Sequence, residues 1–272
     1  MDGAQSPAKV KTSVDDGVGI ITLSDPGTLN AAGMDLMRDL TAAFEDFAYG
    51  DKVRAIVITG EGRGFCSGAN LTGRADAPAA QDQMQAQARD SGSALETVYN
   101  PFVTRMRDYP IPIVTAVNGA AAGIGCSIAL MGDLIVAGES GYFLQAFRRI
   151  GLVPDGGATY LLSRLVGKAR TMELTLLGEK LPAATALQWG LINRCVPDAE
   201  LMDTAMELAQ ALATGPRALG YIRKLVWDGL DAEWAEQLHA ERVVQREAGL
   251  TEDSREGVVA FLQKRPAQFQ GR

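Results

Sequence analysis

The residues of this chain that could do chemistry lie in two glycine-rich segments and one turn. Gly60-Glu61-Gly62-Arg63-Gly64-Phe65-Cys66-Ser67-Gly68-Ala69-Asn70-Leu71 and Asn118-Gly119-Ala120-Ala121-Ala122-Gly123-Ile124-Gly125-Cys126 each follow a short apolar, β-branched run. Small residues let a ligand approach the main chain closely, and the second segment leads into a predicted helix whose first N–H groups lack intrahelical partners. Such groups bind an anion, or an oxygen on which negative charge develops. The same glycines also suit close packing of a strand on a helix, and either segment alone fits both uses. Their recurrence favours a site. Asp155, in Pro154-Asp155-Gly156-Gly157, stands just before a helical pattern. A carboxylate there can move a proton or cap the helix.

Other chemistries find little support. The single histidine, His239, lies in the charge-laced stretch Trp234-Ala235-Glu236-Gln237-Leu238-His239 and reads as a surface or interface helix residue. Histidine triads and histidine-rich metal sites are therefore not expected. Cys66, Cys126 and Cys195 are far apart, without C-x-x-C spacing, and read as reduced core thiols. Gly119, Gly123 and Gly125 lack the G-x-G-x-x-G spacing of dinucleotide sites, and no G-x-x-x-x-G-K-[ST] occurs. The formal charge is −7, with Lys and Arg scattered, so nucleic acid is a poor partner. With no apolar run near the roughly 20 residues of a membrane span and no signal-like start in Met1 to Val14, no membrane association and a cytoplasmic location are expected.

The elements that must position the site follow from periodicity. Lys9 to Val14 and Gly19 to Leu23 flank Asp15-Asp16-Gly17 and predict a hairpin. Leu36, Leu40, Phe44 and Phe47 mark one face of a helix, and Val53 to Thr59 reads as a buried strand, giving a βαβ crossover. Strands are likewise predicted at Ile113 to Val117 and Leu134 to Ala137, with a helix from about Ile124 between them. Thr72 to Gly92 is expected to be a loop feeding a helix that runs to about Arg107. After Gly156 the pattern is mostly helical, with one more apolar segment at Gly190 to Val196. The helical patterns past Asp198 have no predicted strands to cover them, so an oligomerisation segment is expected.

Phe65 to Leu71, Ala116 to Gly123 and Gly151 to Gly157 resemble, in order, three signatures of the enoyl-CoA hydratase/isomerase (crotonase) superfamily, and the likeness runs from about Val10 to Phe269. It implies an α/β chain: a right-handed ββα spiral core with the acyl-CoA site over residues 1–197, then a helical trimerisation segment over 198–272. It implies a homo-trimer or a dimer of trimers. The partner small molecule would be an acyl-CoA substrate, with coenzyme A entering as part of the thioester and no cofactor bound for catalysis.

By the same resemblance the oxyanion donors are the N–H groups of Ala69 and Ile124, where glycine is commoner at the second position. Leu29, Ser67, Ala69, Leu71, Phe261 and Lys264 match coenzyme A contacts, the last two often reaching a neighbouring subunit. Their bland alternative is an apolar helix face with a solvated lysine. Gly27 stands where relatives often carry a basic contact. The hydratases of the superfamily activate water with two glutamates, and the matching residues here are Ser127 and Phe147. Asp155 matches the acid/base of double-bond isomerases and the nucleophile of related dehalogenases, which also use a histidine that this chain lacks near the glycine-rich loop.

Within the superfamily, Phe143 to Phe147, Gly167 to Arg170 and Glu256 to Arg265 look most like isomerases that act on 1,2-epoxyphenylacetyl-CoA. The expected function is an acyl-CoA isomerase working through an enolate, with Asp155, assumed to have the ordinary pKa of about 4, as acid/base. A hydratase with atypical residues, or a catalytically silent CoA-binding protein, are the alternatives.

Overall fold

The computed structural model describes residues 8–50, 52–70, 90 and 92–272. Strands β1 (Val10–Asp15) and β2 (Val18–Leu23) form the expected hairpin. Asp15 pairs with Val18 across a two-residue turn whose Asp16 and Gly17 both have positive φ, 43° and 81°. This is the primed turn that matches the twist of the flanking strands. Helix α1 (Met34–Tyr49) then leads to β3 (Ala55–Gly60), parallel to β2. Strands β5 (Ile113–Val117), β7 (Leu134–Gly138) and β10 (Arg194–Val196) complete a six-stranded sheet in the order β1-β2-β3-β5-β7-β10.

A second sheet is built from three-residue strands: β4 (Gly64–Cys66), β6 (Ala120–Ala122), β8 (Tyr142–Leu144) and β9 (Lys180–Pro182), in that order. The chain passes from β3 to β4, from β5 to β6 and from β7 to β8, advancing one position in both sheets at each pass. This is the ββα spiral. Two of the short strands, β4 and β6, lie inside the glycine-rich segments, and three residues cannot display a period.

The larger core lies on the α1 side of the six-stranded sheet. There Leu36, Leu40, Phe44, Ile56, Ile58 and Phe102 are all at most 2% exposed. The Phe44 ring meets Phe102 and Tyr109 edge-to-face at 5.3 and 5.0 Å, the preferred aromatic geometry. Helix α2 (Asn100–Arg107) supplies Phe102, and helix α3 (Ile124–Leu130) is buried along its whole length.

Helices α4 (Ala158–Leu165), α5 (Gly167–Leu177) and α6 (Ala183–Trp189) follow, then α7 (Leu201–Ala213), α8 (Ala218–Gly229), α9 (Trp234–Gly249) and α10 (Glu252–Gln263). The expectation that the helices past Asp198 have no sheet to cover them fails for α7. Its Leu201, Ala205, Ala209 and Ala213 pack on Val18, Ala55, Val57, Val114 and Val136, the other face of the six-stranded sheet. Alanines every fourth residue make that flat contact, and a parallel sheet needs both faces covered.

Helix α8 is fastened by Arg223, 6% exposed. Its guanidinium donates to Asp133 Oδ2 at 2.7 Å and to the carbonyls of Met106, Arg107 and Tyr109. Trp227 Nε1 donates to the other Asp133 oxygen at 3.0 Å. A buried cation so fully bonded fixes where the helix sits rather than adding net stability.

Candidate active site

The two glycine-rich loops meet main chain to main chain. A Cβ at Gly119 would strike the Arg63 carbonyl, and one at Gly125 would strike the Cys66 carbonyl. Asn118 laces the loops together: its Nδ2 donates to Gly62 O at 2.9 Å and its Oδ1 accepts from Gly60 N at 3.2 Å. The loops also face each other at Gly68 and Gly123, where a Cβ on Gly68 would lie 2.9 Å from Ala122 O and 3.8 Å from Gly123 Cα. Gly68 has φ +101°, and Gly123 has φ 53° with ψ −128°, conformations that side-chain-bearing residues seldom adopt.

Those two glycines aim the next two peptides. The Gly68 carbonyl accepts from Ala32 N at 2.7 Å, and the Gly123 carbonyl accepts from Cys126 N and Ser127 N at 2.9 and 3.2 Å. No peptide bond here is cis, so each following N–H points away from its occupied carbonyl. Among the described residues neither the Ala69 nor the Ile124 N–H finds an acceptor. The structure thus sets two free donors, one on each loop, behind two glycines in contact. The isoleucine side chain does not intrude on its own N–H; it is 1% exposed and packs beneath the turn that carries Asp155.

That turn is pressed onto the start of α3. A Cβ at Gly156, φ +57°, would collide with Ile124 Cδ1 and come within 3.1 Å of Ser127 Cβ. Ser127 Oγ donates to the Asp155 carbonyl at 3.0 Å, and Ala158 N donates to the same oxygen at 3.0 Å. The hydroxyl of Ser127, wholly buried, is therefore spent on main chain. Phe147, 8% exposed, brings its ring to the glycine that starts this same helix: a Cβ at Gly123 would sit 3.6 Å from its Cζ.

The capping alternative for Asp155 is not realised. Gly157, φ 81°, is the N-cap of α4, and no side chain bonds its first turn. Asp155 Oδ1 is instead buried without a hydrogen-bond partner. Burial with no compensating donor favours the neutral acid and pushes the carboxyl up from 3.8 to about 6. The ordinary pKa assumed from the residue type is thus corrected by the environment.

Leu29, φ 54°, and Ser67 are joined to this frame: Leu29 O accepts from Ser67 N at 3.0 Å and Ser67 Oγ donates to Thr28 O at 2.8 Å. Asn30, fully buried, holds the same loop to Glu61 O and Gly64 O at 3.0 and 2.7 Å. Leu71 lies outside the described residues. Phe261 is 82% exposed on α10 and Lys264 caps that helix in the left-handed conformation. Among the described residues, no hydrogen bond joins either of them to the site within one copy of the chain. The expected surface position of His239 is met, with Cys66 and Cys126 buried and Cys195 half-buried.

Sequence reasoning passed over Gln145. It is 1% exposed, follows β8 two residues before Phe147, and turns its amide toward the buried Cys126 thiol. A polar residue ending the apolar run Tyr142-Phe143-Leu144 was the available signal.

Comparison with known proteins identifies the family. The model of the enoyl-CoA hydratase/isomerase family matches residues 13–272. The chain is 41% identical over 264 residues to the 1,2-epoxyphenylacetyl-CoA isomerase of Escherichia coli K12, covering 97% of this chain and 98% of the relative. It is 40% identical, with the same coverage, to a Rhodobacter capsulatus protein named "Probable enoyl-CoA hydratase". The crystal structure of an enoyl-CoA hydratase from Polaromonas sp. JS666 superposes with a TM-score of 0.86 at 30% identity, covering 96% of this chain and 99% of that one. With two free main-chain donors behind facing glycines, the spiral fold and a family match over nearly its whole length, the chain belongs to the enoyl-CoA hydratase/isomerase family.

Proposed function

We propose that the protein is an acyl-CoA isomerase that moves a carbon–carbon double bond through an oxyanion-stabilised enolate, with Asp155 as acid/base. The observation that carries this reading is the Asp155 carboxyl, unpartnered and shifted up to about 6, on a turn packed against Ile124. The thioester oxygen takes the Ala69 and Ile124 N–H groups. Asp155 removes a proton from C2 of a 3-enoyl thioester. The C2–H pair forms the enolate, with its charge on the thioester oxygen. As the carbonyl re-forms, the double bond appears at C2–C3 and the displaced π pair takes the proton at C4. Each main-chain donor contributes roughly 3 kcal/mol to the charged intermediate. A base at about 6 is better matched to a carbon acid than an ordinary carboxylate. Leu29, Ser67, Ala69, Leu71, Phe261 and Lys264 form the coenzyme A contacts in this reading, and the reaction calls for no cofactor beyond the thioester. Likeness to the 1,2-epoxyphenylacetyl-CoA isomerase supports a ring-epoxide thioester as a candidate substrate.

Hydration is the second reading, favoured by the 40%-identical relative's name. Against it stand Ser127, whose hydroxyl is committed to the Asp155 carbonyl, and Phe147, which carries no base. Assayed side by side, a short 3-enoyl-CoA is expected to isomerise while a short 2-enoyl-CoA is hydrated far below the typical enzyme median of about 10 s⁻¹. Hydration at about 10² s⁻¹ or more would displace the isomerase reading.

A trimer-based assembly belongs to the same proposal. Ile222 and Val226 on α8, Trp234 and Leu238 on α9, and Phe261 and Leu262 on α10 are 45–82% exposed. That much apolar surface on three successive helices calls for a partner surface. Mass measurement in solution is expected to give three or six chains, and a monomer at micromolar concentration would contradict it.

A further inference from the structure

We propose that Tyr99 is a positioning residue for the Ala69 donor, acting through Ala32; the idea rests on the oxyanion reading of the Ala69 N–H given above. The Tyr99 hydroxyl, on a ring 6% exposed, donates to the Ala32 carbonyl at 2.6 Å. Ala32, completely buried, in turn donates its N–H to the Gly68 carbonyl at 2.7 Å. Gly33 N donates to Ala31 O at 2.8 Å, closing a three-residue turn around Ala32 that fixes its two peptide planes relative to each other. Across the trans Gly68–Ala69 peptide, holding the carbonyl on one side fixes the direction of the N–H on the other. Two hydrogen bonds in series, joined through the braced Ala31–Gly33 turn, therefore run from a phenol in the core to the peptide that carries a donor in the site.

Local sequence explains why the phenol is available there. Tyr99 ends a π-helical turn, Leu95–Tyr99, in which Asn100 N–H reaches back five residues to Leu95 O. Pro101 follows and has no N–H to restore the α-helical ladder. The wider turn inserts one residue and rotates Tyr99 inward, and such insertions recur near functional sites. Gly68 at φ +101° supplies no preference of its own for one peptide orientation, so the direction of the Ala69 N–H depends on what grips the Gly68 carbonyl.

The test is a spectroscopic reading of carbonyl polarisation in the full-length protein. An unreactive conjugated acyl-CoA, cinnamoyl-CoA, is bound at saturation and its thioester C=O stretch is recorded by infrared difference spectroscopy in wild type, Tyr99→Phe and Tyr109→Phe. Tyr109 is the control: its buried hydroxyl donates to Phe44 O at the same 2.6 Å but leads nowhere near the loops. All assays are run below the lowest melting temperature of the three. Expected is a downshift in wild type and Tyr109→Phe that is largely lost in Tyr99→Phe, with kcat for isomerisation falling roughly tenfold and KM changing less than about threefold. An unchanged downshift in Tyr99→Phe, or an equal loss in both variants, would overturn the relay. Absence of any downshift in wild type would instead count against the oxyanion site itself, and a downshift without isomerisation against the Asp155 chemistry.

Discussion

Asp155→Asn is expected to lower isomerisation at least about 10²-fold while acyl-CoA binding stays within a few-fold, the pattern for a group needed mainly in the transition state. Stability should not fall. Asparagine is the same size, no capping bond is lost because none exists, and the variant no longer carries an ionisable group in a site without a donor for it. The variant should also separate two pH dependences of opposite sign. As a base Asp155 works only when ionised, so wild-type kcat/KM is expected to rise with pH through about 6. Its effect on folding runs the other way. The folded carboxyl sits above its ordinary 3.8, so the native state binds more protons than the unfolded chain between 3.8 and about 6. The stability it contributes is fully present below 3.8 and is lost as pH rises through about 6. Chemical denaturation across pH 4–7 should show that slope in wild type and its absence in the variant. A folded variant with full activity would move the proton transfer to another group.

Gly68→Ala is the second large effect expected. The added methyl would stand 2.9 Å from the Ala122 carbonyl, a main-chain atom that cannot swing aside, at a φ of +101°. Relief requires the two loops to separate or the Gly68–Ala69 peptide to turn, and either misdirects an N–H donor. Loss of one such donor lowers kcat by about 10²–10³-fold, and forcing a residue with a Cβ into this region costs about 1–3 kcal/mol. Steady-state kinetics and a thermal melt measure the two parts. Activity near wild type would show that Gly68 is not needed to aim the Ala69 N–H.

Much of the frame is legible in the sequence. The hairpin around Asp16-Gly17 declares itself because only primed turns take two positive φ values, and the runs at Ile113 and Leu134 are buried strands because a parallel sheet is covered on both faces. The second sheet was not readable, since its strands have three residues each. Helix α7 was misplaced for a different reason. Ala205, Ala209 and Ala213 are small enough to suit many surfaces, and only the tertiary fold shows that theirs is the sheet. At the site, the glycine-rich segments and the Asp155 turn could be picked out from residue types and Ala69 and Ile124 named only by the family resemblance, while the environment decides what kind of carboxyl Asp155 is. Its raised pKa comes from burial in the folded chain, on a turn whose Gly156 meets Ile124 and Ser127, about thirty residues earlier in the sequence. Gln145 and the Tyr99 relay depend on contacts between distant segments, and no local pattern encodes those.

The central claim, enolate formation by Asp155 beside two main-chain donors, is tested most directly by running a short 3-enoyl-CoA with the enzyme in deuterium oxide. The acyl products are followed by NMR over many turnovers. The expected result is the 2-enoyl isomer with deuterium at C2 or C4 and little 3-hydroxyacyl-CoA, and with isomer and label both lost in Asp155→Asn. Dominant 3-hydroxyacyl-CoA, or isomer and label undiminished in the folded Asp155→Asn variant, would contradict it.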